Sequence, residues 1–291
     1  MKNCRVINIP FKGYKTHTYV YGNLSKGIPL IMLHGGPGGC IERYEALTHL
    51  AEKGHPIIMY DQLGCGYSRV PKGNLDLWTV ETYIEELDNI IKFFNLKKYY
   101  LLGHSWGGML ALEYLTRKPS LKPLKLILYS TLPSTKIWNE DHLRMIEDYP
   151  SEQKEALIKQ YKCEEFDFKA YKLGIKLFYD ENVGKKKDRK YIPFRKRFPK
   201  TNKEIYEYMW GKSELVGTGT LKDYNVEDKL NLIDNSTLIL SGELDESTPR
   251  MNKLMNDRIK NSKWVMIKGV HHSSYNEEPE FVLKTIHDFL K

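Results

Sequence analysis

The chain has 291 residues, 41% of them hydrophobic and 28% charged, with a formal net charge of +8. A chain of that length buries roughly three-quarters of the surface its unfolded form exposes, so its core needs no disulfides or structural metal, and the composition is that of an ordinary soluble globular protein. Cys4, Cys40, Cys65 and Cys163 include no C-x-x-C pair, which argues for reduced thiols in the cytoplasm rather than a disulfide frame or zinc site.

The first residues, "MKNCRVINIPFKGYKTHTYVYG", alternate polar and apolar side chains and lack the continuous apolar stretch of a signal peptide. No apolar run approaches the length of a membrane span. The excess charge is mostly scattered lysine. Its one cluster, "GKKKDRKYIPFRKRFPK" (184–200), carries no nucleic-acid-binding motif and reads as a solvated face.

In chain order, residues 5–9 and 17–21 read as a hairpin. "PLIMLHGG" (29–36) and "PIIMYDQ" (56–62) are short apolar runs that end in glycine or polar residues. That pattern suits buried parallel strands whose C-terminal ends feed functional loops. "TVETYIEELDNIIKFFN" (79–95) predicts a helix with Val80, Tyr83, Ile84, Leu87, Ile90, Ile91 and Phe94 on one face. Then come a strand in "KYYLLGHS", a helix in "WGGMLALEYLTRKP" stopped at Pro119, and a strand in "LKLILYS". From about 132 to 222 the chain is charged and aromatic-rich, with helical spacing and no clear buried strand. Core pattern returns at "NLIDNSTLILSG" and "SKWVMIKG" before a closing helix, "PEFVLKTIHDFL". The expectation is an α/β fold with a mostly parallel sheet, built from residues 1–131 and 223–291, with a helical cap at 132–222.

"GHSWGG" (103–108) contains G-x-S-x-G between a predicted strand and a predicted helix. Roughly 0.1 such matches arise by chance in this length, so the context carries the weight. A sharp turn there lifts the Ser105 hydroxyl above the sheet, Gly103 and Gly107 permit the close approach, and the helix start offers free N–H groups to an oxyanion. "HGGPGG" (34–39) can supply the second arm of an oxyanion hole, with the N–H of Gly36 joining that of Trp106; His34 reads as a structural hydrogen-bonding residue. A serine nucleophile needs a base, and the base an orienting acid, in the chain order Ser, Asp, His. Asp245 follows the strand "STLILS"; His271 and His272 both follow the strand "KWVMIKG" and compete for the base. His142 falls in the cap and His287 in the last helix.

The whole chain resembles the proline iminopeptidase family of α/β-hydrolases, which includes the tricorn-interacting aminopeptidases. The likeness rests on "HGGPGG", "YDQLGCGYS", "GHSWGGMLALEY", "MWGKSELVGTGTLKDY" and "GELDESTP". It implies the α/β-hydrolase fold and selects His272 as the base: in "IKGVHHSSYNEEP" that residue stands seven before Pro279, as in the family, although His271 occupies a position where the family has a small residue. It also implies that two glutamates grip the substrate's free amine, Glu214 in the W-G-x-x-E segment and Glu246 after the catalytic aspartate. An α-amino group with a pKa near 8 is largely cationic at neutral pH, which makes carboxylates sensible partners. Glu243 has no assignable role.

The activity implied is a serine aminopeptidase that frees the first residue of short peptides, without metal or cofactor, acting on neither nucleic acid nor membrane. An upstream protease supplying the peptides is a candidate partner. Trp138, Tyr206, Tyr208 and Trp210 are candidates to line the pocket for proline or another apolar first residue. The rivals are a carboxylesterase or amidase with the same triad and no use for Glu214 or Glu246, and a non-catalytic binding protein on the same fold.

Overall fold

The computed structural model describes residues 4–191 and 200–291, so part of the basic run, 192–199, lies outside the described residues. Eight strands form one sheet: β1 (Cys4–Phe11), β2 (Tyr14–Tyr21), β3 (Leu30–Leu33), β4 (Ile57–Asp61), β5 (Tyr100–His104), β6 (Lys125–Tyr129), β7 (Ser236–Gly242) and β8 (Ser262–Ile267). Their order is β1-β2-β4-β3-β5-β6-β7-β8, antiparallel where β2 meets β1 and β4 and parallel elsewhere.

The apolar runs are buried on both sides because successive residues serve opposite faces. Ile31 and Leu33 of β3, Leu101 of β5, Leu126 and Leu128 of β6 and Ile239 of β7 pack into one core layer. Leu30, Met32, Tyr100, Leu102, Ile127, Tyr129, Leu238 and Leu240 pack into the other. The first layer is covered by α1 (Val80–Phe93) and α2 (Trp106–Thr116). The second is covered by a 3₁₀ segment, Ile41–Ala51, and by the C-terminal helix described below. The predicted face of α1 buries Tyr83, Leu87, Ile90 and Ile91, and Thr79 caps it by accepting from the N–H of Thr82. Glu86 is buried on that helix as well: it accepts from the Thr16 hydroxyl and the N–H of Leu63, and burial lifts its pKa to about 8.

Between β6 and β7 lie α3 (Thr135–Met145), α4 (Ser151–Tyr161), α5 (Phe168–Phe178), a π-helical turn (Tyr179–Val183) and α6 (Lys203–Met209). A small apolar cluster of Ile146, Tyr149, Leu157, Phe178, Leu215 and Val216 holds part of this insertion together. Ile205, Met209 and Trp210 anchor it to the main core. Its two ends meet in a β-bridge between Ser134 and Asn225, with Thr135 N–H donating to Tyr224 O at 3.0 Å and Val226 N–H to Pro133 O at 2.9 Å. After β7 come α7 (Pro249–Arg258), α8 (Ser274–Glu277) and α9 (Pro279–Leu290), the C-terminal helix over the second core layer. The start of α7 carries a legible signal that the apolar pattern alone passes over: Thr248 caps Met251 N–H and Pro249 opens the first turn.

The strand order reverses at β3. From β4 the chain crosses β3 to reach β5, so the loops leaving β3 and β5 diverge from neighbouring strand ends, with Leu33 in register with Gly103. Such a switch point opens a crevice outside the carboxyl ends of the strands.

Candidate active site

Ser105 sits between β5 and α2 with φ 55° and ψ −124°, in the left-handed region that a serine adopts only when its surroundings hold it there. Backbone bonds supply that hold. Ser105 N–H donates to Tyr129 O at 2.9 Å, and Ser105 O accepts from the N–H of Gly108 (2.8 Å) and the hydroxyl of Thr131 (2.8 Å). A Cβ at Gly107 would lie 2.2 Å from Leu33 O and one at Gly103 2.2 Å from Gly107 O, so both positions require glycine for the turn to close.

The loop after β3 runs alongside. A Cβ on Gly35 would stand 3.0 Å from the Cβ of Ser105, so the Gly35–Gly36 backbone abuts the elbow, and Gly36 takes φ 133° before a cis peptide bond to Pro37. Hydrogen bonds fix this loop from below. Gln62 N–H donates to His34 Nε2 and the Gln62 side-chain amide to His34 O, both at 3.0 Å, while the indole N–H of Trp106 donates to Gln62 Oε1 at 2.8 Å. His34 contacts Gly35 O through Nδ1 at 2.8 Å and is buried, which lowers its pKa to about 4, so it is a neutral structural link. Gln62 is a residue the sequence reading missed. Its position directly after β4, in "YDQLGCGYS", was the available signal.

A second chain of bonds ties the same loop to His272. Gly35 N–H donates to the hydroxyl of Tyr44 (2.8 Å), the Tyr44 hydroxyl meets His104 Nδ1 (3.1 Å), and His104 Nε2 meets His272 O (3.1 Å). Burial lowers His104 to about 3, so its neutral ring accepts at Nδ1 and donates at Nε2. Replacing Tyr44 with phenylalanine should leave Gly35 N–H and His104 Nδ1 without partners and cut kcat roughly tenfold at nearly constant KM. Steady-state kinetics beside a thermal melt checks this, since a purely structural role would shift Tm without changing kcat.

Of the two adjacent histidines, His272 Nδ1 donates to Asp245 Oδ1 at 2.8 Å, whereas His271 Nδ1 bonds to Glu277 Oε2 at 3.0 Å. Asp245 is held by four donors, the other three being Ser130 Oγ (2.5 Å), Gly242 N–H (3.2 Å) and Ser247 N–H (2.9 Å). Burial pushes its carboxyl up, but the imidazole cation of His272 and these donors outweigh burial and hold it below the ordinary carboxylate value.

His272 Nε2 lies 3.4 Å from Glu246 Oε1. Burial pulls the imidazole down, yet Glu246 and Asp245 overcome it and bring the pKa to about 9. Glu246 is 1% exposed and its Oε2 has no hydrogen-bond partner; burial raises its pKa well above the ordinary value, opposed by His272 and helped by Glu214 and Asp245. Glu214 is likewise raised by burial, against the Tyr206 hydroxyl that donates to its Oε2 at 2.5 Å and against His272.

Three cap aromatics position Glu214. Tyr206 holds its carboxylate, and the indole N–H groups of Trp138 (3.2 Å) and Trp210 (3.4 Å) donate to its backbone carbonyl. His142, in the cap helix α3, faces Leu215 O at 3.0 Å and Glu246 O at 2.9 Å, so it bridges the two glutamate-bearing segments. Of the four candidate aromatics only Tyr206 lines the cavity; Tyr208 packs at the edge of the main core. Tyr179 lines the cavity too, from the π-helical turn of the cap, a position no sequence pattern singled out. Glu243 is exposed and accepts from Gly269 N–H, away from this group.

Ser105, His272, Glu214, Glu246 and Gly36 all border one cavity of about 390 Å³, with Arg43, Lys203, Lys212 and Glu207 also on its wall. Trp106 lies outside that lining but opens α2, where the first N–H groups have no partner within the helix. Among the described residues no group of His, Cys, Asp or Glu could hold a metal ion, and no helix is long and apolar enough to cross a membrane.

A catalytic-type elbow at a strand switch point, beside a buried Asp–His pair, defines a hydrolase class, and the family model for the alpha/beta hydrolase fold matches residues 28–279. The chain is 37% identical over 290 residues to a proline iminopeptidase of Lactobacillus helveticus (strain DPC 4571), covering 97% of this chain and 96% of that one. Among solved structures, VinJ superposes with a TM-score of 0.85 at 31% identity, covering 98% of both chains. The proline iminopeptidase of Mycobacterium smegmatis superposes with a TM-score of 0.83 at 27% identity, covering 98% of this chain and 97% of that one. The chain belongs to the proline iminopeptidase family of α/β-hydrolases.

Proposed function

We propose that this protein is a serine aminopeptidase that releases proline, or another apolar residue, from the N-terminus of short peptides. The observation that carries the reading is Glu246: a carboxylate 1% exposed, with one oxygen unpartnered, beside a second, half-buried glutamate, Glu214, in the cavity that holds Ser105. A buried carboxylate oxygen without a partner is costly, and a primary or secondary ammonium is the natural group to satisfy it.

Ser105 Oγ attacks the carbonyl of the first residue while His272 takes its proton, and Asp245 holds the imidazole tautomer. The N–H groups of Gly36 and Trp106 stabilise the oxyanion, His272 protonates the departing amine, and water then releases the acyl group. The ammonium seated on Glu214 and Glu246 places the first carbonyl over Ser105, which makes the reaction an exopeptidase reaction. None of the four cysteines is in a disulfide, which supports the cytoplasm as the working compartment.

The test compares hydrolysis of prolyl and leucyl arylamides with their N-acetylated forms. We expect the free amines to be cut at least about 100-fold faster, the scale for losing charge-assisted hydrogen bonds in a dry site. Equal rates would replace this reading with an esterase or amidase acting on neutral acyl groups.

A further inference from the structure

His272 Nε2 is the atom that must accept the Ser105 proton, yet it stands 3.4 Å from Glu246 Oε1, while Nδ1 is occupied by Asp245 at 2.8 Å. Both ring nitrogens therefore face carboxylates, an arrangement that suits an imidazolium and not a base. We propose that Glu246 makes the catalytic base conditional on the substrate: with no amine bound, Glu246 and Asp245 hold His272 as a cation that cannot take the serine proton, and a substrate ammonium seated on Glu246 and Glu214 displaces that charge and frees the neutral imidazole. The inference rests on the aminopeptidase reading and adds to it a mechanism of selection.

The surroundings of His272 carry the argument. Facing it are Asp245 and Glu246 from the loop after β7, Glu214 from the segment after α6, His104 from β5 at a ring-centroid distance of 4.7 Å, and His142 from α3 through the Glu246 carbonyl. Of the two other histidines, His104 packs edge-on against the His272 ring and is lowered by burial to about 3, and His142, also lowered by burial, to about 4, meets backbone carbonyls and not the carboxylates. Arg43, Lys203 and Lys212 stand on the same cavity wall, but His272 is the cation in direct contact with Glu246 and Asp245, which raise its pKa to about 9. At pH 7 a ring raised in this way is predominantly the cation. A bound ammonium takes over the balancing role: one cation replaces another, the imidazolium proton passes to solvent, and Nε2 becomes an acceptor. A peptide without a free amine would leave the base protonated, so N-blocked substrates are rejected in kcat as well as in KM.

The experiment uses a small uncharged alkyl fluorophosphonate, which reacts with Ser105 and brings no amine. A P–O bond to Oγ forms, the P–F bond breaks, fluoride leaves, and His272 takes the serine proton, so the labelling rate reports the fraction of neutral His272 in the free enzyme. In the wild type we expect that rate to rise with pH through a midpoint near 9. In Glu246→Gln the midpoint should fall toward 7 and labelling at pH 7 should become at least about tenfold faster, while hydrolysis of prolyl arylamide falls. Opposite movement of the two rates is the signature that a merely structural role of Glu246 would not produce. Labelling that is unchanged or slower in the variant overturns the proposal. So does a wild-type midpoint near 6.5, which decides the matter even if the variant fails to fold. Cleavage of N-acetylated arylamides would sink the aminopeptidase reading whatever the labelling profile, whereas strict free-amine selectivity with a low wild-type midpoint would sink only the conditional base.

Discussion

Ser105→Ala should lower kcat/KM for prolyl arylamide by roughly 10⁶-fold, the scale on which hydrolases lose activity when the nucleophile is removed. The protein should keep its fold, because the bonds that hold position 105 in its left-handed conformation are made by its backbone: Ser105 N–H to Tyr129 O, and Ser105 O from Gly108 and Thr131. Alanine retains all of them, and its Cβ stands where that of serine did. Circular dichroism and a melt should match the wild type to within about 2 °C, which is about the shift that 1 kcal/mol produces in a chain of this size. Residual turnover within tenfold of the wild type would remove Ser105 from the role of nucleophile.

Asp245→Asn should cost about 10⁴-fold in kcat, through the tautomer of His272 rather than through its position. An amide placed with its NH₂ toward His272 Nδ1 would donate where the carboxylate accepts, turning the ring so that Nε2 carries the proton it should lack. Neither orientation of the amide is comfortable. Oδ1 accepts from Ser247 N–H and Oδ2 from Gly242 N–H, so the NH₂ must face a backbone donor on either side. One unsatisfied buried donor costs about 1–3 kcal/mol.

The variant should also flatten the pH dependence of stability. In the wild type His272 is raised, so its contribution is complete below pH 6.5 and is lost as pH climbs through about 9. Asp245 is lowered, so its contribution is present above its ordinary value of 3.8 and is lost as the solution becomes more acid than its folded pKa. Melts at pH 7 and pH 10 of both proteins, set beside single-turnover rates, test the assignment. A kcat within tenfold of the wild type would mean that another group orients His272.

Residues of strong local pattern were readable without a structure. The alternation of strands such as "LIML" and "KLILY" with the helix over 79–95 reports an α/β sheet because burial on both faces demands continuous apolar runs, and Leu30 through Leu33 do split between the two core layers. "GHSWGG" was readable because only glycines at 103 and 107 tolerate backbone oxygens at 2.2 Å from a would-be Cβ. Gln62 was marked only by its place at a strand end and Tyr44 not at all, because neither residue type carries a local mark of the partners reached across 44 and 60 positions.

By itself the sequence determined the core, its strand and helix alternation, the elbow at Ser105 and the candidate acids and bases, since all of these follow from periodicity and from the residue types a turn admits. The choice between neighbours was a different matter. His271 and His272 are chemically identical in the chain, and only the path of the loop after β8 turns one ring to Glu277 and the other to Asp245. The same holds for the glutamates: Glu243 and Glu246 lie three residues apart, and one is exposed while the other is buried against His272. Electrostatic character at such a site is set by burial and by charges brought together from distant parts of the chain, and neither exists until the cap segment carrying Glu214 meets the strand ends.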